Sequence, residues 1–132
     1  MDTAAFRMGA MGPDMGYFPG GYRPISDLAH TVSPGVLTRN LLACAGSPRQ
    51  RAFSWGWVTH LLADVLVHPL IGCAVGQVVH GSTAHFVGAD EDPVNHVRVE
   101  AGLDALYALR HPELRHLPLA PAFDAASVGF MR

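Results

Sequence analysis

The stretch Phe53-Ser54-Trp55-Gly56-Trp57-Val58-Thr59-His60-Leu61-Leu62-Ala63-Asp64, continuing to His68-Pro69, decides how this chain is read. Within it His60, Asp64 and His68 recur at i, i+4 and i+8. An α-helix turns about 100° per residue, so the three side chains form one slightly drifting stripe. Trp57, Leu61 and Val65 accompany them. That apolar company predicts a buried face, with the polar stripe pointing into the protein. From Trp57 to Val79 the chain is apolar enough to suggest a membrane span. The ionisable side chains argue against one, because an ionised group at the bilayer centre costs roughly 2.5–3.5 kcal/mol even on a lenient scale. The expectation is a buried helix lining a polar site, and no transmembrane segment.

A second segment repeats the design. His96 and Glu100 are again i, i+4, Asp104 continues the polar stripe, and Leu103 with Tyr107 extends the face toward an expected core. Buried carboxylates need a cationic partner. The chain has no Lys, and Arg98 and Arg110 fall on other faces of this helix. A single His-x-x-x-Asp is more often a hydrogen-bonded core pair or a surface ion pair. Two such stripes, with His68 as a further imidazole, favour a metal ion. Imidazole with carboxylate suits zinc, and also iron, manganese or nickel. Neither an adjacent His-Asp pair nor a His-Glu-x-x-His helix occurs in the sequence, which sets aside two common classes of metallohydrolase.

Outward from these helices the punctuation is clear. A short apolar helix is predicted over Thr38–Ala45, stopped by Gly46-Ser47-Pro48. The long helix starts near Ser47 or Pro48 and runs to His68, with Pro69 kinking or restarting it and an apolar continuation to about Val79. Residues 81–88 read as a loop. Asp92-Pro93 combines an N-cap with proline in the first turn, opening a helix that lasts to about Arg110. Before all of this, Met1–Gly12 contains the end of a helix, punctuated by Gly12-Pro13-Asp14. Residues 15–34 are rich in Gly, Pro and Tyr and read as a loop with aromatic anchors at Tyr17, Phe18 and Tyr22. From Pro118 onward only turns are expected. With no alternating strand pattern and no repeat, the fold class is all-α, a single helical-bundle domain over 1–132.

Composition narrows the function. Of 132 residues 49% are hydrophobic and 15% charged, a globular balance. The net charge of −2 leaves no basic footprint for nucleic acid. Eight histidines stand against two cysteines, Cys44 and Cys73, whose apolar flanks make them inert core residues. His80, His85, His111 and His116 read as solvated, and Asp90, Glu91 and Asp92 as charges at a helix N-terminus. No secretory signal pattern opens the chain, so a cytoplasmic location is expected.

One ordered set of elements goes further. Gly9-Ala10-Met11-Gly12-Pro13-Asp14, then His30, then the 53–64 stretch with His68-Pro69, and finally His96-x-x-x-Glu100, resembles the bacterial zinc-dependent phospholipase C family and the wider phospholipase C/D domain. That fold is related to the zinc-dependent single-strand nucleases. The resemblance covers about residues 6–104. It implies that Asp14, His30, His60 and Asp64 hold one zinc ion, and that His68, His96 and Glu100 hold a second. It also implies that Asp64 bridges toward a third, and that Asp14 serves as general base, which makes Asp14 and Asp64 the catalytic candidates. Family members complete the third site with N-terminal residues that include a histidine. Here no histidine precedes His30, so the expectation is two or three zinc ions in a domain incomplete at its N-terminus. The implied activity is phosphodiester hydrolysis by metal-activated water on a phospholipid-type substrate. Two alternatives stand beside it: a non-catalytic zinc-binding helical protein, and a nuclease-like phosphodiesterase, against which the missing basic and stacking surface argues. Substrate identity and oligomeric state are left open by the sequence.

Overall fold

Asp2 starts the first helix: its carboxylate accepts the Ala5 N–H at 3.0 Å and caps α1, Thr3–Met11. This computed structural model describes residues 1–116, and the turns expected from Pro118 onward lie outside them. A 3-10 turn over Gly12–Gly16 follows α1 and carries Asp14. Next comes α2, Arg23–Thr31, inside the segment expected to be a loop. Pro24 sits in its first turn, where a missing N–H breaks no helical bond, and Ser26 and Ala29 give it a buried face. The Gly and Pro richness that suggested a loop is confined to the connections on either side. Ser33, with φ 51, separates α2 from α3, Pro34–Cys44, which begins a full turn before the expected Thr38.

A reciprocal cap opens α4, Pro48–His80. The Gln50 side-chain oxygen accepts the N–H groups of Gly46 and Ser47, each at 3.0 Å, while Ser47 Oγ accepts the Gln50 N–H at 3.1 Å. Contrary to the expected kink or restart, α4 runs through Pro69 as one element. Proline removes the bond to the carbonyl four residues earlier. That carbonyl belongs to Val65, on the exposed side of the helix. By length and composition α4 is long and apolar enough to cross a membrane, and it carries His60, Asp64 and His68 within that span. Helix α5, Pro93–Arg110, starts as expected, Asp92 accepting the Asn95 N–H at 3.0 Å. A 3-10 turn over Pro112–His116 closes the described chain.

The described residues divide into two compact units, Met1–Ala63 and a second beginning at Asp64. In the first, Ala5 and Met8 of α1, Ala29 of α2, and Ala52, Phe53 and Trp57 of α4 form the core, with Phe6, Leu37, Leu41 and Leu61 packed against it. Helices α1 and α4 meet backbone to backbone. A Cβ on Gly9 would overlap the Phe53 carbonyl, and one on Gly56 would overlap that of Phe6. Buried Ser54 ties α4 to α3, its hydroxyl within hydrogen-bond reach of the Leu41 and Gln50 carbonyls at 3.1 and 3.0 Å.

The second unit has a smaller core of Ile71, Val75 and Val87, with Val99 of α5 packed against it. The Val87 N–H donates to the Gly72 carbonyl at 3.1 Å, laying the 81–92 connection against α4. Here burial departs from expectation. Val65, Leu103 and Tyr107, expected inside, are all exposed, and Asp104 is exposed as well. Val65 lies about 100° round the helix from Asp64, on an arc shared with the exposed Leu62, Leu66 and Leu70. Cys44 also differs: as the last residue of α3 it is exposed, while Cys73 is partly buried, and both are free thiols.

Candidate metal centres

Three elements build the first centre. Asp14 comes from the 3-10 turn, His30 from the C-terminal turn of α2, and His60 from α4. His30 was expected in a loop, and the helix is what gives it a fixed anchor. Its Nδ1–H donates to the Ser26 carbonyl, one turn back, at 2.7 Å. The Nδ1–H of His60 donates to the Ala10 carbonyl of α1 at 2.8 Å. A carbonyl can only accept, so both imidazoles carry their proton on Nδ1. Their Nε2 atoms then turn lone pairs inward. They lie 3.3 Å from each other, and Asp14 Oδ1 lies 3.3 Å from the first and 3.7 Å from the second.

Two acceptor nitrogens and a carboxylate oxygen converging this closely call for a cation among them, either an added proton or a metal ion. Their spacing fits the second. Ligand atoms on a tetrahedral zinc with bonds of about 2.0–2.2 Å stand about 3.3–3.6 Å apart. Histidine ligands to a metal characteristically donate the other ring N–H to a carbonyl or carboxylate, which fixes tautomer and orientation. Both histidines here do so.

Tyr17 borders this centre. Its ring lies against His30, centroids 5.7 Å apart, and its hydroxyl donates to Asp27 Oδ1 at 3.1 Å. Burial, reinforced by the hydrogen bond to Asp27 and by the charges of Asp27 and Asp14, raises its phenol above the ordinary value. Tyr17, Phe18 and Tyr22 are all about half exposed or more. They present aromatic surface instead of anchoring a loop in the core.

The second centre belongs to the other unit. His68 on α4 and His96 with Glu100 on α5 form a second group of converging donors. Glu100 Oε1 lies 3.1 Å from His96 Nε2 and 3.7 Å from His68 Nε2. Asp64 Oδ1 stands 3.7 Å from His68 Nε2. The resemblance assigns Asp64 to the first ion, and the structure has it one turn before His68 in the second unit. His96 is 5% exposed, yet neither ring nitrogen has an aligned hydrogen bond among the described residues. Its Nε2 approaches Glu100 closely but off the line a shared proton needs. An orphaned imidazole beside a carboxylate is costly without an ion. The donors therefore fit zinc here too.

Six of the seven residues singled out in the sequence fall in these two donor groups, and Asp64 stands beside His68 outside both. Asp104, which continued the polar stripe on α5, joins neither. The positioning groups were missed: the Ser26 and Ala10 carbonyls are backbone atoms, and a sequence gives no sign of which carbonyl a distant imidazole will reach. Ser26 itself was findable, since it sits at i−4 from His30. Other histidines lie elsewhere. His80 and His85 stack with centroids 4.1 Å apart, and His111 Nδ1 is 3.2 Å from Glu113 Oε1. The side chain of His116 is outside the described residues.

Comparison with known proteins gives one result. The family model described as zinc dependent phospholipase C matches residues 1–126. No curated protein and no solved structure gives a significant match.

Proposed function

The chain belongs to the zinc-dependent phospholipase C family, and we propose that it hydrolyses a phospholipid-type phosphodiester with zinc held in its two donor sets. The observation that carries this reading is the first centre. Two imidazoles whose Nδ1 atoms are committed to carbonyls turn their Nε2 atoms onto each other and onto Asp14. In this reading Asp14, His30 and His60 hold one ion. His68, His96 and Glu100 hold a second, with Asp64 beside them.

Zinc, when bound, supplies Lewis acidity that acidifies water and stabilises negative charge on phosphoryl and leaving oxygens. The protein's own groups do the rest. The Asp14 side chain is 45% exposed, against 19% for His30 and 12% for His60. It is the member of the first set that water and substrate reach most readily, and it takes the proton of the attacking water. Asp64 orients His68 and is the second carboxylate assigned to the reaction. The exposed rings of Tyr17 and Phe18, next to the turn that carries Asp14, contact the part of the substrate that does not react.

The test uses purified protein with phosphatidylcholine in mixed micelles, following release of the phosphorylated headgroup. Turnover should disappear on chelation, return with added zinc, and be lost in Asp14→Asn. Protein that carries two zinc ions and releases no headgroup would sink the hydrolase reading and leave a zinc-binding protein.

A further inference from the structure

Ser26 lies at the junction of two ligands. It is fully buried, and its two oxygens serve different partners. Oγ accepts the Gly16 N–H at 2.7 Å, which fastens the end of the 3-10 turn that carries Asp14. The main-chain oxygen accepts the Nδ1–H of His30, also at 2.7 Å. The turn rests directly on this residue: a Cβ on Gly16 would crowd Ser26 Oγ and the Tyr22 carbonyl. The turn closes further on itself through the Tyr17 N–H, which donates to the Asp14 carbonyl at 2.8 Å.

We propose that Ser26 is the positioning residue of the first centre, setting the distance between Asp14 and His30 by holding the turn with its hydroxyl and the imidazole with its carbonyl. The proposal rests on the zinc-binding reading above. Ser26 touches neither substrate nor ion and acts through the two ligands. A part-buried N–H that loses this acceptor shifts toward another, and the 12–16 turn is short enough that such a shift displaces Asp14. A carboxylate displaced by a few tenths of an ångström no longer matches the 3.3 Å approach to His30 Nε2. Groups that orient metal ligands characteristically change affinity by about 10–100-fold when removed.

The test is zinc affinity, measured by competition with a chromogenic chelator on the full chain in two backgrounds. In the first, Glu100→Gln disables the second centre, so the remaining tight ion reports the first. In the other, His60→Ala disables the first centre. Ser26→Ala keeps the carbonyl and removes only the hydroxyl. It should weaken zinc about 10–100-fold in the Glu100→Gln background and leave affinity unchanged in the His60→Ala background. Equal weakening in both backgrounds would mean that Ser26 merely stabilises the fold, and unchanged affinity in both would mean that its hydroxyl positions nothing. Either result overturns the proposal. Ser26→Cys, close in size and a weak acceptor, carries the same comparison if Ser26→Ala fails to fold. Zinc absent from the unsubstituted chain would instead overturn the metal reading, and this proposal with it.

Discussion

The two donor sets hold similar chemistry and are built differently. In the first, backbone carbonyls fix both imidazoles, and the ligands come from three elements separated by long stretches of chain. The second joins His68 of α4 to the i, i+4 pair His96 and Glu100 of α5, and among the described residues the ring nitrogens of its buried His96 lack an aligned partner. The first is therefore largely organised without an ion, and the second would rely on one to satisfy it. Pre-formed anchors favour tight binding because less side-chain freedom is lost on coordination.

Four measurements would break or sharpen this contrast. The largest effect should come from His60→Ala, which removes an anchored ligand. We expect zinc content to fall from two ions to one and turnover to fall by more than about 100-fold, beyond the range for outer groups. Elemental analysis and headgroup release would check this, and loss of both ions would show that the centres are not independent. Chelation should come next. An ion present at about 100 times its Kd contributes about 2.7 kcal/mol to stability, read as a lower urea midpoint for the zinc-free protein. In that protein the Nδ1–H signals of His30 and His60 should stay protected from exchange in nitrogen-proton NMR, while His96 shows no such signal. Equal behaviour of the two sets would remove the contrast.

Gly56→Ala should act more weakly, and on the first unit. The added methyl meets the Phe6 carbonyl, an overpacking that costs about 1–3 kcal/mol. It also pushes α1 outward, and with it the Ala10 carbonyl that holds His60. We expect a lower melting temperature with weaker zinc at the first centre and unchanged zinc at the second. The smallest effect concerns Asp92 at the start of α5. Hydrogen bonds from the Asn95 backbone and side chain hold its carboxyl below its ordinary 3.8. A depressed folded value means that its contribution is complete above 3.8 and is lost as pH falls through the lower folded value. Asp92→Asn keeps a capping oxygen and removes the charge. Its urea midpoint should therefore fall less than that of the unsubstituted chain between about pH 5 and pH 2.

The contrast also explains what was legible in the chain. Helix α5 and the start of α4 were readable because Asp92-Pro93 and Ser47-Pro48 are local capping chemistry. The loop expected over 15–34 concealed α2, because Gly and Pro on both sides outweighed a nine-residue helix whose buried face is only Ser26 and Ala29. The burial expected for Val65, Leu103 and Tyr107 failed for a related reason. A periodic apolar stripe says that a face wants cover and not whether the described chain supplies it.

By itself the sequence determined the helices with strong caps, the all-α class and the residue types able to bind metal. It also paired Asp64 with His68 and His96 with Glu100, since one helical turn brings i and i+4 together whatever else the chain does. The ordered motifs grouped Asp14, His30 and His60 by family resemblance, and the tertiary structure decided the geometry in which they converge. That depends on α1 and α4 touching backbone to backbone at Gly9 and Gly56, and on Ser26 gripping the turn from α2. Such contacts join residues tens of positions apart through carbonyls and missing side chains, which carry no signature in the order of residues along the chain.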